Sequence, residues 1–362
     1  MPWRKRGSQA IVGCAGWFVA GGRRTRHLQG SALSRAGPGA SIGPQIRPST
    51  SKTRFILNPN SGGIRRRRGL VPAIRAFIAR QGLNADLVFT KRRGEATELA
   101  RAAVADGCER VVAVGGDGTM NEVAQALVGA SVALALVPCG SGNGLALHLG
   151  IPVQPRRSLA LLVDPSARVV AIDTGTANGH PFFNAMGAGF DAEISRRFNR
   201  LAGRGLATYL RAGLGAFAHG RGQPVALSDA NGRRETMNAF LVAVANSDQY
   251  GNHARMAPGA RVDDGLLDLV VVRQPGVVGA VVLMARLFLG SFDRSPQVRH
   301  LRSARFVIER SAPGLIHTDG ETHETGATVE VVVRPRSLRL VVPATCIVAA
   351  AGPPPWSANP SG

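Results

Sequence analysis

Three short loops of Gly, Asn and Ser, each closing an apolar strand-like run and opening a helical pattern, restrict this chain's folding more than any other feature. The first is Asn58-Pro59-Asn60-Ser61-Gly62-Gly63, after the run at residues 54–57. The second is Gly115-Gly116-Asp117-Gly118-Thr119, after the apolar run at 110–114, and the third is Gly140-Ser141-Gly142-Asn143-Gly144, after 133–137. A further strand is read at 84–89, with helical patterns at 70–80, 95–105 and from the second loop to residue 128. Strand and helix alternate, which predicts a parallel sheet covered by helices. Such sheets bind ligands beyond the carboxyl ends of their strands, where glycine turns expose N–H groups and helix starts favour anions. One glycine turn is weak evidence of phosphate binding; three in one sheet converge. None matches G-x-G-x-x-G or G-x-x-x-x-G-K-[ST]. Asp117 is the only acid in its turn, and Thr119 is read as a capping hydroxyl for the helix it opens.

Beyond Pro152 the texture changes to β-prone segments at 169–178, 181–186, 234–245, 266–272, 298–309 and 328–342, interrupted by helical stretches at 192–219 and 277–290. The expected organisation is a basic tail at 1–51, an α/β domain with a parallel sheet at 52–150, a mostly antiparallel β-sandwich domain at 151–345, and a tail from 346 to 362. Residues 1–51 hold eight Lys or Arg and no acid, and are rich in Gly, Ser and Pro, so both tails read as disordered. The apolar stretch at 10–20 is broken by glycines and lacks a cleavage site, so it is read as tail and not as a signal peptide.

The net charge of +21 implies anionic partners in general. With aromatics at 5% and no basic helix interleaved with them, nucleic acid is not expected. The four cysteines, Cys14, Cys108, Cys139 and Cys346, have neither disulfide nor zinc spacing and suit a reducing cytoplasm. No apolar run reaches 18 residues, because Arg273, Pro275 and Arg286 interrupt the longest candidate.

Two carboxylates flank a glycine in His317-Thr318-Asp319-Gly320-Glu321, after the apolar Leu315-Ile316. A glycine bend can aim such acids at one point, where one could accept a proton from an attacking hydroxyl. A second acidic turn lies in Arg261-Val262-Asp263-Asp264-Gly265-Leu266.

Together these segments resemble the lipid kinase family of diacylglycerol, sphingosine and ceramide kinases, in its bacterial form; the G-G-D-G-T loop, Gly115 to Thr119, is the most specific element. The likeness spans about residues 54–342. It implies an ATP site made by Asn58, Pro59, Asn60, Ser61 and Gly62, by Thr90, by Gly115, Gly116, Asp117, Gly118, Thr119, Met120 and Asn121, and by Ser141. It implies Glu321 as general base, Asp319 orienting it or binding Mg²⁺, and Asp117 organising Mg²⁺ and phosphate. A structural Mg²⁺ at Arg261, Asp264 and Leu266 is carried over in the same way. Gly144 departs from the Asp that many diacylglycerol kinases have there and matches sphingosine-kinase-like members better.

The expected activity is transfer of the ATP γ-phosphate to the hydroxyl of a diacylglycerol, sphingoid base, ceramide or related lipid. The enzyme would work at the inner membrane face from the cytoplasm. The arginines at 196, 197, 200, 204 and 211 are the expected peripheral docking surface, and a homodimer is left open. The rivals are an NAD kinase, which shares the G-G-D-G-T loop, and a non-catalytic lipid- or nucleic-acid-binding protein. Asn58 to Gly63 and the Asp263-Asp264-Gly265-Leu266-Leu267-Asp268 turn favour the lipid kinase over the first. Retention of Asp117, Asp319 and Glu321 together argues against the second.

Overall fold

A computed structural model describes residues 51–65, 67, 69–189, 222–251 and 253–348. The two tails and the helical stretch expected at 192–219, with its arginines, lie outside these residues.

The alternating segments form β1 (Thr53–Leu57), α1 (Gly62–Arg65), α2 (Leu70–Arg80), β2 (Ala85–Phe89), α3 (Glu95–Ala105), β3 (Arg110–Gly115), α4 (Asp117–Leu127), β4 (Ala133–Pro138) and α5 (Gly144–His148). The four strands pair in parallel in the order β2-β1-β3-β4. Their carboxyl ends therefore share one edge, where the loops lie. β3 and β4 are buried along their whole length, which explains their apolar sequence after Arg110, whose guanidinium donates to Leu162 O (2.9 Å). Each helix turns one stripe inward: Leu70, Ile74 and Phe77 on α2, Ala96, Ala100 and Ala103 on α3, and Met120, Val123, Ala124 and Leu127 on α4.

The remainder, after α6 (Pro155–Leu161), is mainly antiparallel. β5 (Arg168–Ala177), β6 (His180–Phe182), β8 (Gln223–Asp229), β9 (Arg234–Ala239), β15 (Arg305–Arg310) and β18 (Thr328–Val342) extend the first sheet. β7 (Ala185–Ala188), β10 (Leu241–Ala245), β13 (Leu267–Val272), β14 (Val298–Ser303), β16 (Gly314–Thr318) and β17 (Glu321–Thr325) form a second sheet in the order β14-β13-β10-β7-β16-β17. β11 (Gln249–Gly251) and β12 (Ala254–Arg255) form a small hairpin. The segments read as single strands at 234–245 and 298–309 each divide, near Phe240 and Ala304, because each crosses from one sheet to the other.

Alternation within the second sheet serves two cores. Val242, Val244, Leu267, Leu269 and Val271 face the sandwich interior with Phe182, Phe306 and Ile308, whereas Leu241, Ala243, Val270 and Val272 face α7 (Val277–Leu289) through Leu283 and Leu287.

The two lobes share one sheet. β18 packs Val329 and Val331 into the sandwich, then bends near Arg336 (φ +48°) and delivers Leu338, Leu340 and Val342 to the first core, with Leu340 registered against Leu134 of β4. That core also takes Leu159, Ile172 and Phe183, so it does not end at the boundary expected near Gly150. Asp173 fixes the crossing: it is fully buried and accepts N–H bonds from Arg336 (2.8 Å) and Gly265 (2.7 Å).

Gly175 on β5 lies under the fully buried Phe182 ring, and a Cβ there would stand 2.1 Å from the ring's Cζ. Gly175→Ala is predicted to cost about 1–3 kcal/mol in urea unfolding, and Phe182→Leu in the same chain to recover part of that loss. An unchanged midpoint for Gly175→Ala would contradict this packing.

Candidate active site

The second and third loops meet backbone to backbone. A Cβ on Gly116 would lie 3.1 Å from the Gly140 Cα, and one on Gly140 would lie 2.8 Å from the Gly116 Cα. Only glycine permits that approach on both sides. Asp117 then ties the loops together: its Oδ2 accepts the Asn143 N–H (2.9 Å) and its Oδ1 the Gly144 N–H (3.0 Å). Asn143, in the left-handed region at φ +51°, closes its own loop by accepting from Gly140 N (3.0 Å) and donating to Gly140 O (2.9 Å). A cavity between the loops is lined by Gly115, Gly116, Asp117 and Asn143, with Met120 and Leu136. At the start of α4 the N–H groups of Asp117 and Gly118 have no intrahelical acceptor, which favours an anion.

Thr119 does not cap α4 as expected. Gly116 holds that position with no side-chain bond, and the buried Thr119 Oγ1 accepts from Asn58 Nδ2 (3.3 Å), joining the first loop to the second. Asn58 Oδ1 accepts the Asn60 N–H (3.0 Å) and so shapes the first loop, where Pro59, Asn60 and Gly62 are exposed and Ser61 is half-buried. Thr90 is buried at the end of β2, its N–H on Leu57 O (3.0 Å). Met120 and Asn121 are buried in α4, and Ser141 is exposed on the third loop.

In the second lobe Asp319 (φ +50°) and Gly320 (φ +88°) form the two-residue turn between β16 and β17, with Thr318 registered against Glu321. Asp-Gly is the pair such a left-handed hairpin turn prefers. Asp319, expected to orient the base or to bind Mg²⁺, has its carboxylate engaged by backbone donors. Its carboxylate is buried and accepts three backbone N–H bonds, from Phe183 (2.7 Å), Asn184 (2.9 Å) and Ala185 (2.9 Å). Burial raises its pKa above the ordinary carboxylate range, and the three donors pull the other way. Asp319 is a positioning residue that docks the hairpin tip on the link between β6 and β7. Asp117 likewise has an N–H donor on each oxygen, so its first role is to hold the third loop.

Glu321 faces the first lobe. Its Oε1 lies 2.5 Å from Nη2 of Arg93, in the loop that follows Thr90 at the end of β2. Their side chains are 37% and 78% exposed, so the pair adds little stability and both groups remain open to a ligand. The two lobes also touch at Gly144, where a Cβ would stand 3.2 Å from Asn184 Oδ1 and from Gln249 O. A side chain at this position would crowd both neighbours. A continuous path thus runs from Asp117 through Gly144 and Asn184 to Asp319 and Glu321, and joins the acidic corner to the phosphate loops.

Sequence reasoning missed a histidine cluster around this corner. His323, two residues from Glu321 on β17, stacks on His180 (centroids 3.9 Å apart) and bonds Thr318 Oγ1 (2.9 Å), while His317 Nε2 meets the Tyr250 hydroxyl at 2.7 Å. Burial, and secondarily His180, push the His323 pKa down and favour its neutral form. The period-2 spacing of Glu321 and His323 was a usable signal, but His180 is distant in sequence.

In the turn where a structural Mg²⁺ is expected on the Asp264 carboxylate and backbone carbonyls at Arg261 and Leu266, the side chains pair among themselves. Asp264 Oδ1 accepts the Leu266 N–H (3.1 Å), its Oδ2 pairs with Arg302, and Arg261 pairs with Asp263 (3.1 Å). Arg302 and Arg261 offset the acids of this turn.

Asp319→Ala would strand three buried N–H groups and is predicted to destabilise the protein by at least about 3 kcal/mol in chemical unfolding, whereas Glu321→Gln should change stability by less than about 0.5 kcal/mol. Equal, small effects would refute the different roles assigned to the two acids.

Comparison with known proteins agrees with this architecture. Residues 52–177 match the diacylglycerol kinase catalytic domain, and residues 184–342 match the YegS C-terminal NAD kinase beta sandwich-like domain. A protein of Pseudomonas fluorescens named "Probable lipid kinase YegS-like" is 31% identical over 301 residues, covering 82% of this chain and 96% of that protein. A like-named protein of Pseudomonas aeruginosa is 33% identical over 281 residues, covering 75% of this chain and 90% of its own length. The solved structure of a diacylglycerol kinase from Bacillus anthracis str. Sterne superposes with a TM-score of 0.63 at 21% identity, covering 82% of this chain and 98% of the other, a likeness of fold alone. With both lobes matched and nearly the full length of its relatives covered, the chain belongs to the YegS-like lipid kinase family, which carries the diacylglycerol kinase catalytic domain.

Proposed function

We propose that this protein transfers the γ-phosphoryl group of ATP to the hydroxyl of a membrane lipid, with Glu321 as general base. The observation that carries this reading is the reach of Glu321 across the cleft to Arg93, at the same sheet edge as the three loops. Phosphoryl transfer needs a positioned polyphosphate, charge stabilisation and an oriented hydroxyl, and little covalent help. The Gly116–Gly140 contact and the start of α4 offer a cradle of N–H groups for the phosphates, and Arg93 offers an exposed positive charge. Glu321 has no backbone donor among the described bonds and pairs with the exposed Arg93, which supports it as the acid that accepts the lipid proton.

Mg²⁺ would enter bound to the triphosphate, whose own oxygens supply most of its ligands, since Mg²⁺ commonly takes only one or two carboxylates from the protein. Diacylglycerols, sphingoid bases and ceramides all present a hydroxyl of the required kind, and Gly144 fits the sphingosine-kinase-like version of the third loop. The insolubility of such substrates supports peripheral contact with a membrane, on this reading the inner face approached from the cytoplasm. In the described residues no helix is long and apolar enough to cross a membrane.

Incubation with radiolabelled ATP and a panel of diacylglycerol, monoacylglycerol, ceramide, sphingosine and phosphatidylglycerol tests the reading. Label should enter one lipid class, and Glu321→Gln should lower kcat by about 10²–10⁴ while ATP affinity stays within about twofold. Transfer to no lipid but to NAD would replace this function with another. Loss of ATP binding in Glu321→Gln would remove Glu321 as the base.

A further inference from the structure

Among the described residues six large apolar side chains are exposed, and four of them lie on α7: Val278 (79%), Val281 (54%), Val282 (45%) and Leu289 (78%). With the exposed Ala285 they recur at i, i+3, i+4, i+7 and i+11, a single stripe along the helix. The opposite stripe, Ala280, Leu283 and Leu287, is buried against the second sheet. α7 is therefore apolar on both faces, which a helix on a water-facing surface has no reason to be.

The charge around the stripe is one-sided. α7 contains no acid and exposed Arg273 and Arg294 lie beyond its two ends, while Arg299 and Arg302 on β14 are paired with Glu235 and Asp264. At its carboxyl end an added Cβ on Gly290 would lie 3.4 Å from Arg255 Cδ. Arg255 Nε lies 3.5 Å from Asp248, which bonds His148 (2.6 Å) on α5, the helix that follows the third loop. Three side chains thus link the apolar helix to the nucleotide lobe.

We propose that this face of α7 docks on an anionic bilayer, with Val278, Val281, Val282 and Leu289 entering the boundary of the acyl chains and Arg273 and Arg294 meeting headgroup phosphates. A narrow apolar stripe with cationic flanks is the pattern of a helix lying in a membrane interface. The exposed fractions amount to roughly 400 Å² of apolar surface, about half of what each partner buries in a stable dimer. The choice of a bilayer over a soluble partner rests on the lipid kinase reading, because that substrate has to be met at a membrane surface.

The test is co-sedimentation of the full-length protein with vesicles of phosphatidylglycerol and phosphatidylcholine. It is run for wild type, for Val278→Ser/Val281→Ser/Val282→Ser and for Arg273→Glu/Arg294→Glu, with kinase activity on a detergent-dispersed lipid measured in parallel. The serine variant should partition at least tenfold less, the arginine variant should lose the salt-sensitive part of binding, and activity on dispersed lipid should be unchanged in both. Should the serine variant misfold, Val281→Trp supplies a second probe: its difference emission from the parent chain should shift to the blue on adding vesicles. Wild-type partitioning by a folded serine variant, no spectral shift, or conversion of a wild-type dimer to monomer by the serine changes would each overturn the proposal. Vesicle binding through α7 without phosphorylation of any lipid would sink the kinase reading and leave the docking surface standing.

Discussion

Two carboxylates that bond to backbone hold the site in its shape. Asp117 grips the N–H groups of Asn143 and Gly144, and Asp319 grips those of Phe183, Asn184 and Ala185. A carboxylate with several N–H donors is a strong, directional anchor, and removing it leaves each donor without a partner. One anchor sits in each lobe, and their targets meet where Gly144 abuts Asn184. The geometry of the cleft is thus fixed by neighbouring backbone segments and not by long exposed ion pairs.

The shared sheet makes that arrangement rigid. β18 begins in the sandwich, bends at Arg336 and ends beside β4, so a displacement of one lobe must be felt in the core of the other. Asp173 secures the bend from Arg336 to Gly265, with the Asp264 turn next to it held by Arg302. On this frame Arg93 and Glu321 remain comparatively free, as groups that must exchange partners during a reaction should be. On the proposed function, fixed backbone would hold the phosphates while exposed side chains served proton transfer.

Much of this was legible in the sequence because it depends on local signals. Alternating strand and helix patterns located β1–β4 and α2–α4 to within a residue or two, and the glycine loops marked the sheet edge that bears the site. The roles of the acids were harder to read. Asp117 and Asp319 give no local sign of their backbone partners, and only the fold brings residues 143–144 and 183–185 to their oxygens. Asp319-Gly320 carried a hairpin signature that explains its conformation but not what its carboxylate binds. The crossovers at Phe240 and Ala304, the arrival of β18 in the first lobe and the stacking of His180 on His323 are all long-range, and no window of sequence contains them. Gly144 departs from the family pattern in sequence, and only the fold shows that a side chain there would crowd Asn184 and Gln249.

The central claim is that backbone from the first lobe holds a triphosphate while an acid from the second faces its terminal phosphate. A crystal structure with a non-hydrolysable ATP analogue and Mg²⁺ tests it most directly. The account predicts phosphates seated between Gly116 and Gly140 at the start of α4, Arg93 turned from Glu321 toward the γ-phosphate, and the Asp117 and Asp319 bonds to backbone intact. A nucleotide bound away from these loops, or a γ-phosphate on the far side of the sheet from Glu321, would contradict it.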